Sequence, residues 1–138
     1  MKKILLMGFI LCAGTVFAQS PTIRLSFERE YPRVNYTTVH WEQRNNQWHG
    51  TYRDDYNRDV ETYYDEYGNR IDTHTYWDRA QLPPRVQTRV TRRYHDDDYR
   101  VYRIERPATR PLFQITFGKR QPVYMNERGR KRRYDDRH

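Results

Sequence analysis

Apolar side chains recur along this chain at two spacings, and each spacing predicts a different element. Ile23, Phe27 and Tyr31 stand four apart, which puts them on one face of a helix. Ser20 and Pro21 ahead of them suit a helix start, and Pro32 ends it. Val86, Val90 and Tyr94 repeat the stripe after Leu82-Pro83-Pro84, with Arg85, Arg89, Arg92 and Arg93 directed largely elsewhere. His95 and Asp96 to Asp98 close this second helix. After each helix the period changes to two, the sign of strands half buried in a sheet. Val39 and Trp41 alternate with His40 and Glu42, and after Arg44-Asn45-Asn46, Trp48 and Tyr52 alternate with His49 and Thr51, which predicts a hairpin. Val60, Thr62 and Tyr64 continue the pattern, Asp65 to Gly68 gives a type I turn, and Ile71 to Trp77 is a fourth strand. Tyr102 and Ile104, then Phe113, Ile115 and Phe117, then Val123 and Met125 predict further strands before a short basic tail.

The two halves resemble each other. A shift of 63 places Pro84 on Pro21, Val90 on Phe27, Tyr94 on Tyr31, Tyr102 on Val39 and Ile104 on Trp41 without a gap. Trp48 to Tyr52 resembles Phe113 to Phe117, and Asp65-Glu66-Tyr67-Gly68 resembles Asn126-Glu127-Arg128-Gly129. The fold expected is α+β: two tandem units, 19–80 and 81–138, each one helix packed on an antiparallel meander of about four strands. The first core is expected to hold Ile23, Phe27, Tyr31, Trp41, Trp48, Tyr52 and Tyr64.

Phe27, Tyr31-Pro32, Val39-His40-Trp41-Glu42, Trp48 to Tyr52, Tyr64-Asp65-Glu66-Tyr67-Gly68, Thr73 and Leu82-Pro83 follow one another in an order that resembles the PepSY-like family of secreted bacterial proteins. That family in turn resembles the β-lactamase-inhibitor fold. The resemblance implies a tandem helix-plus-sheet fold, an envelope or extracellular location, no catalytic residues, and binding to or inhibition of another protein.

Composition changes the picture in two ways. The 138 residues carry 26 Lys+Arg against 18 Asp+Glu, with a mean hydropathy of -1.23. Such a polar chain folds only if large rings build its core, and the 13 Tyr and 3 Trp supply them. Much of the aliphatic content lies at the start. Met1-Lys2-Lys3, the apolar run Ile4 to Val16 and the small-residue site ending at Ala18 read as an export signal over 1–18. Cleavage there removes Cys12, the one cysteine, and with it thiol catalysis and thiolate metal sites. The mature protein is expected in the periplasm or outside the cell.

Candidate chemistry is sparse. His95-Asp96-Asp97-Asp98 lacks the alternating ligands, central glycine and terminal glutamate of a calcium loop, and His-Glu-x-x-His is absent, so no metal or other cofactor is expected. Asp54-Asp55 and Asp135-Asp136 lie beside arginines in turns or tail, which suits solvation rather than acid-base work. With Ser20 and Ser26 the only serines and no Gly-x-Ser-x-Gly, the sequence describes a non-enzyme.

Two surfaces are candidates for binding. A sheet covered by helices on one side leaves its other face open, and Tyr63, Tyr67, Tyr76 and Trp77 are the residues expected to recognise an envelope or extracellular protein there. Arg130, Lys131, Arg132 and Arg133 are the alternative, an electrostatic contact to an anionic polymer or membrane surface. The same charges would also keep a last strand soluble and unpaired. Export tells against nucleic acid.

Overall fold

A computed structural model describes residues 20–95 and 98–134. Residues 1–18, read from the sequence as an export signal, lie outside the described residues, as do Asp96, Asp97, Asp135 and Asp136. Eight antiparallel strands form one sheet in sequence order: β1 (His40–Arg44), β2 (Gln47–Arg53), β3 (Asp59–Tyr64), β4 (Arg70–Trp77), β5 (Arg100–Glu105), β6 (Leu112–Thr116), β7 (Val123–Asn126) and β8 (Lys131–Arg132). Helix α1 (Pro21–Glu30) precedes β1, and α2 (Pro84–Tyr94) lies in the connection between β4 and β5.

Local chemistry sets these boundaries. Both helices start on proline, whose missing N–H costs nothing in the first turn. His95 ends α2 in a left-handed conformation, φ +46°. Asn45 and Asn46 both take positive φ, 50° and 61°, the geometry a two-residue hairpin needs and asparagine tolerates. Three later turns share one device. Asp54 Oδ1 accepts from the backbone N–H groups of Tyr56 and Arg58 at 3.0 and 2.9 Å. Asp65 Oδ1 does the same for Tyr67 and Asn69, and Asn126 Oδ1 for Arg128 and Arg130.

Both helices pack on the same face of the sheet, over separate cores. Under α1, Ile23 and Phe27 bury with Tyr36, Val39, Trp48, Tyr52, Val60 and Tyr64, while Tyr31 and Trp41 pack at the margin. Phe27 is central, with ring centroids of Tyr31, Tyr36, Trp41 and Tyr52 between 5.0 and 5.8 Å away. Under α2 the core is more aliphatic: Leu82, Val86, Val90, Val101, Phe113, Ile115, Phe117, Val123 and Met125. A polar strip runs between them, where Tyr31 Oη lies 2.6 Å from Thr73 Oγ1 and Arg70 Nε lies 2.7 Å from Glu30.

One expectation about phase fails. Trp41 faces the helices, opposite Gly50, so the gapless shift of 63 predicts that Ile104 does too. The register instead pairs Trp77 with Val101 and Tyr76 with Tyr102, which turns Val101 and Arg103 to the helix side and Tyr102 and Ile104 to the other. A one-residue change in the connection between helix and strand exchanges the faces of every side chain in β5.

Candidate functional site: the sheet face away from the helices

Alternation assigns the side chains of this face. β2 contributes His49, β3 contributes Glu61 and Tyr63, β4 contributes Asp72, His74 and Tyr76, β5 contributes Tyr102 and Ile104, and β7 contributes Tyr124. Their rings form a ladder across the strands. His49 stacks on Tyr63 at 4.6 Å and 8°, and Tyr63 leans on His74 at 5.2 Å. Tyr76 meets Tyr102 edge-on at 5.9 Å.

The ladder is completed from the end of the chain. Beyond β8, Tyr134 stacks on Tyr124 at 4.7 Å and 11°, stands edge-on to His74, and carries the Arg106 guanidinium 4.4 Å above its ring. Its hydroxyl donates to Asp72 at 2.6 Å. Tyr134 thus reaches from β7 back to β4, across β5 and β6. Ile104, 1% exposed although it faces away from both helices, lies on this crossed region. The face expected to be open is closed at its centre by one tyrosine.

Asp72 anchors the arrangement. It is buried, with His74 Nε2 at 3.2 Å and Arg106 Nε at 3.7 Å in addition to Tyr134. Burial pushes its carboxyl up, but the hydrogen bonds from His74 and Tyr134 and the charges beside it outweigh that, and the pKa falls below the ordinary value. Burial raises the Tyr134 hydroxyl, and the Asp72 bond adds to the rise. Glu61 is lowered, chiefly by His49 at 3.7 Å, and it accepts from Tyr63 Oη at 2.8 Å. These carboxylates are held ionised. A general acid at neutral pH needs the opposite displacement, so neither carboxylate is placed to act as one. Among the described residues no cluster of His, Cys, Asp or Glu is placed to hold a metal ion.

The four residues read from sequence as one protein-binding surface are dispersed. Tyr63 and Tyr76 lie on the face. Trp77 does not: as the next residue after Tyr76 in a strand it must point the other way, and it packs against Phe113 at 5.7 Å with Arg103 over its ring. Tyr67 sits at the exposed tip of the β3–β4 turn, whose Gly68 approaches Thr22 and Ser26 of α1. Alternation divides the basic residues as well. Lys131 pairs with Met125 and Arg132 with Tyr124, so they face opposite sides, while Arg130 lines a groove beside α2 and Arg133 is exposed. Asp72, His74 and Tyr102 were detectable by carrying period two through β4 and β5 in the correct phase. Tyr134 carried no local signal, since its hydrogen-bond partners Asp72 and His74 are about sixty residues away.

No family model matches the chain, and neither does any curated protein. Solved structures do match. A DUF2874 family protein from Bacteroides ovatus superposes with a TM-score of 0.71 at 17% identity, over 80% of this chain and 82% of that one. A candidate periplasmic protein from Bacteroides eggerthii gives 0.74 at 15%, over 83% and 86%. A BLIP-like protein from Bacteroides fragilis gives 0.67 at 24%, over 86% and 91%. At these identities the likeness is one of fold. The chain has a BLIP-like α+β fold: an open antiparallel sheet with two helices on one side.

Proposed function

We propose that the protein is an exported, non-catalytic, PepSY-like binding protein that docks an envelope or extracellular protein on the sheet face away from its helices, as an inhibitor or modulator of an enzyme there. The observation that carries this reading is the ladder from His49 through Tyr63 and His74 to Tyr134 and Tyr124. Rings fixed by stacking and by ionised carboxylates lose little side-chain freedom on binding, and Tyr is among the residues that dominate interface hot spots. Tyr76, 41% exposed, and its neighbour Tyr102 offer the accessible apolar area. The BLIP-like neighbour supports a binding role through its fold. Within this reading 19–80 and 81–138 are tandem units, each with one helix and its own core, and residues 1–18 are the export signal.

The test is affinity capture from the source envelope and culture fluid with wild-type protein, a Tyr76→Ala/Tyr102→Ala variant and a variant neutralised at Arg130 to Arg133. A specific partner should be lost with the tyrosines and kept by the charge variant. Retention after loss of both tyrosines contradicts the reading. Intact mass of exported protein should show cleavage near Ala18, and a retained Met1 would contradict export by this signal.

A further inference from the structure

The arginines divide into two populations. Arg53, Arg58, Arg70 and Arg103, among others, form ion pairs with carboxylates. Arg85, Arg89, Arg92 and Arg93 of α2 do not, and neither do Arg128 and Arg130 of the β7–β8 turn: among the described residues no carboxylate pairs with any of the six. All six line a single groove of about 650 Å³ between the helix and the turn, with Pro84, Thr88 and Gly129 as its other walls.

The groove is closely built. Gly129 holds φ +71°, and a Cβ there would come within 2.8 Å of the Arg85 carbonyl oxygen, so the turn approaches the helix backbone as nearly as a glycine allows. Arg85, Arg89 and Arg93 follow at four-residue steps, about 6 Å apart along the axis. Like charges at that spacing oppose helix formation, and α2 has no acidic residue to offset them. A helix that accepts this repulsion beside two further arginines is complementary to an external row of anions. The guanidinium fork favours the tetrahedral oxyanion of a phosphate or sulfate ester, which it contacts at two points.

We propose that this groove binds a linear polysaccharide bearing phosphate or sulfate esters. A line of cations set in a groove fits a strand laid along it, whereas a membrane surface is best met by a flat basic patch. The choice of a polysaccharide over nucleic acid rests on the export proposed above from the sequence of residues 1–18. This site is separate from the sheet face away from the helices and does not depend on that face binding a protein.

The test uses the full mature protein and a fluorescently labelled heparin octasaccharide as the sulfated probe, read by anisotropy at several salt concentrations. Loss of Arg89 and Arg128 together (Arg89→Ser/Arg128→Ser) should weaken binding at least about tenfold and shallow its salt dependence. Removing the same charge at exposed Arg29 and Arg33 should change it by no more than about twofold. Unchanged or raised thermal stability of the groove variant shows that the loss is not unfolding. As a readout that needs no variant, arginine Nε–H NMR signals of the wild type should shift with the octasaccharide in the groove residues. Equal weakening by the two variants, or shifts spread evenly over all arginines, would show attraction by net charge alone and overturn the proposal. So would tighter binding of a single-stranded oligonucleotide of matched charge, or binding to anionic vesicles without binding to the octasaccharide.

Discussion

Asp72 and Tyr134 carry the sheet face at the scale of single residues. The hydroxyl-to-carboxylate bond is 2.6 Å long, and a hydrogen bond to a charged acceptor contributes about 1.5 to 3 kcal/mol. Tyr134→Phe should therefore lower the unfolding free energy, toward the bottom of that range because the ring is only half buried, with urea denaturation as the measure. Asp72→Asn should cost more, about 3 to 5 kcal/mol, since the half-buried His74 would lose its carboxylate and Tyr134 its ionised acceptor at once. The pH dependence has a definite sign. Asp72 has a lower pKa folded than unfolded, so its contribution is present above the ordinary carboxylate value and is lost as pH falls through the folded value, from about pH 4 downward. Urea midpoints of the wild type should drop in that acid range, and Asp72→Asn should show a shallower drop. An equal acid slope in both would mean that other carboxylates carry it.

At the scale of elements, two glycines mark where backbone and ring, or turn and helix, touch. Gly50 lies under Trp41, whose ring atoms would be 2.8 Å from an added Cβ, so Gly50→Ala must displace the indole from the first core. A loss of about 1 to 3 kcal/mol is expected, read by thermal or urea melting. Gly129→Ala carries a positive-φ penalty and a collision with backbone, and should destabilise the β7–β8 turn against α2. The elements themselves were legible in the sequence: both helix starts, the Asn45-Asn46 hairpin and the Asp65 turn follow from local chemistry that proline, asparagine and glycine express within four residues. Phase in β5 was not, because one residue in the connection after α2 reverses the faces and nothing local records it. The candidate site was legible in Tyr63 and Tyr76, misplaced at Trp77, and silent at Tyr134, whose burial depends on a segment returning from beyond β8.

For the whole molecule, two cores of different composition share one sheet through the β4–β5 ladder, with Thr73, Glu30 and Arg70 between them. Five residue pairs join the halves, Thr73 to Trp77 against Glu105 to Val101, and Tyr134 ties β4 to β7 across the other face. Unfolding should accordingly be a single transition: Phe27→Ala and Phe113→Ala, each expected to cost about 3 to 5 kcal/mol, should both lower one common midpoint rather than split it. Separate transitions seen by far-UV and near-UV dichroism would mean that the halves fold independently. The docking of a protein partner on the sheet face away from the helices, proposed above, is a claim about the whole molecule. Its most direct test places a photo-crosslinking side chain at Tyr76 on that face, and at the exposed Leu25 of α1 as the opposite-side control, in protein exported by the source cells. A discrete protein adduct at position 76, absent at position 25, is the predicted result; adducts at position 25 alone, or the same adducts at both, would contradict it.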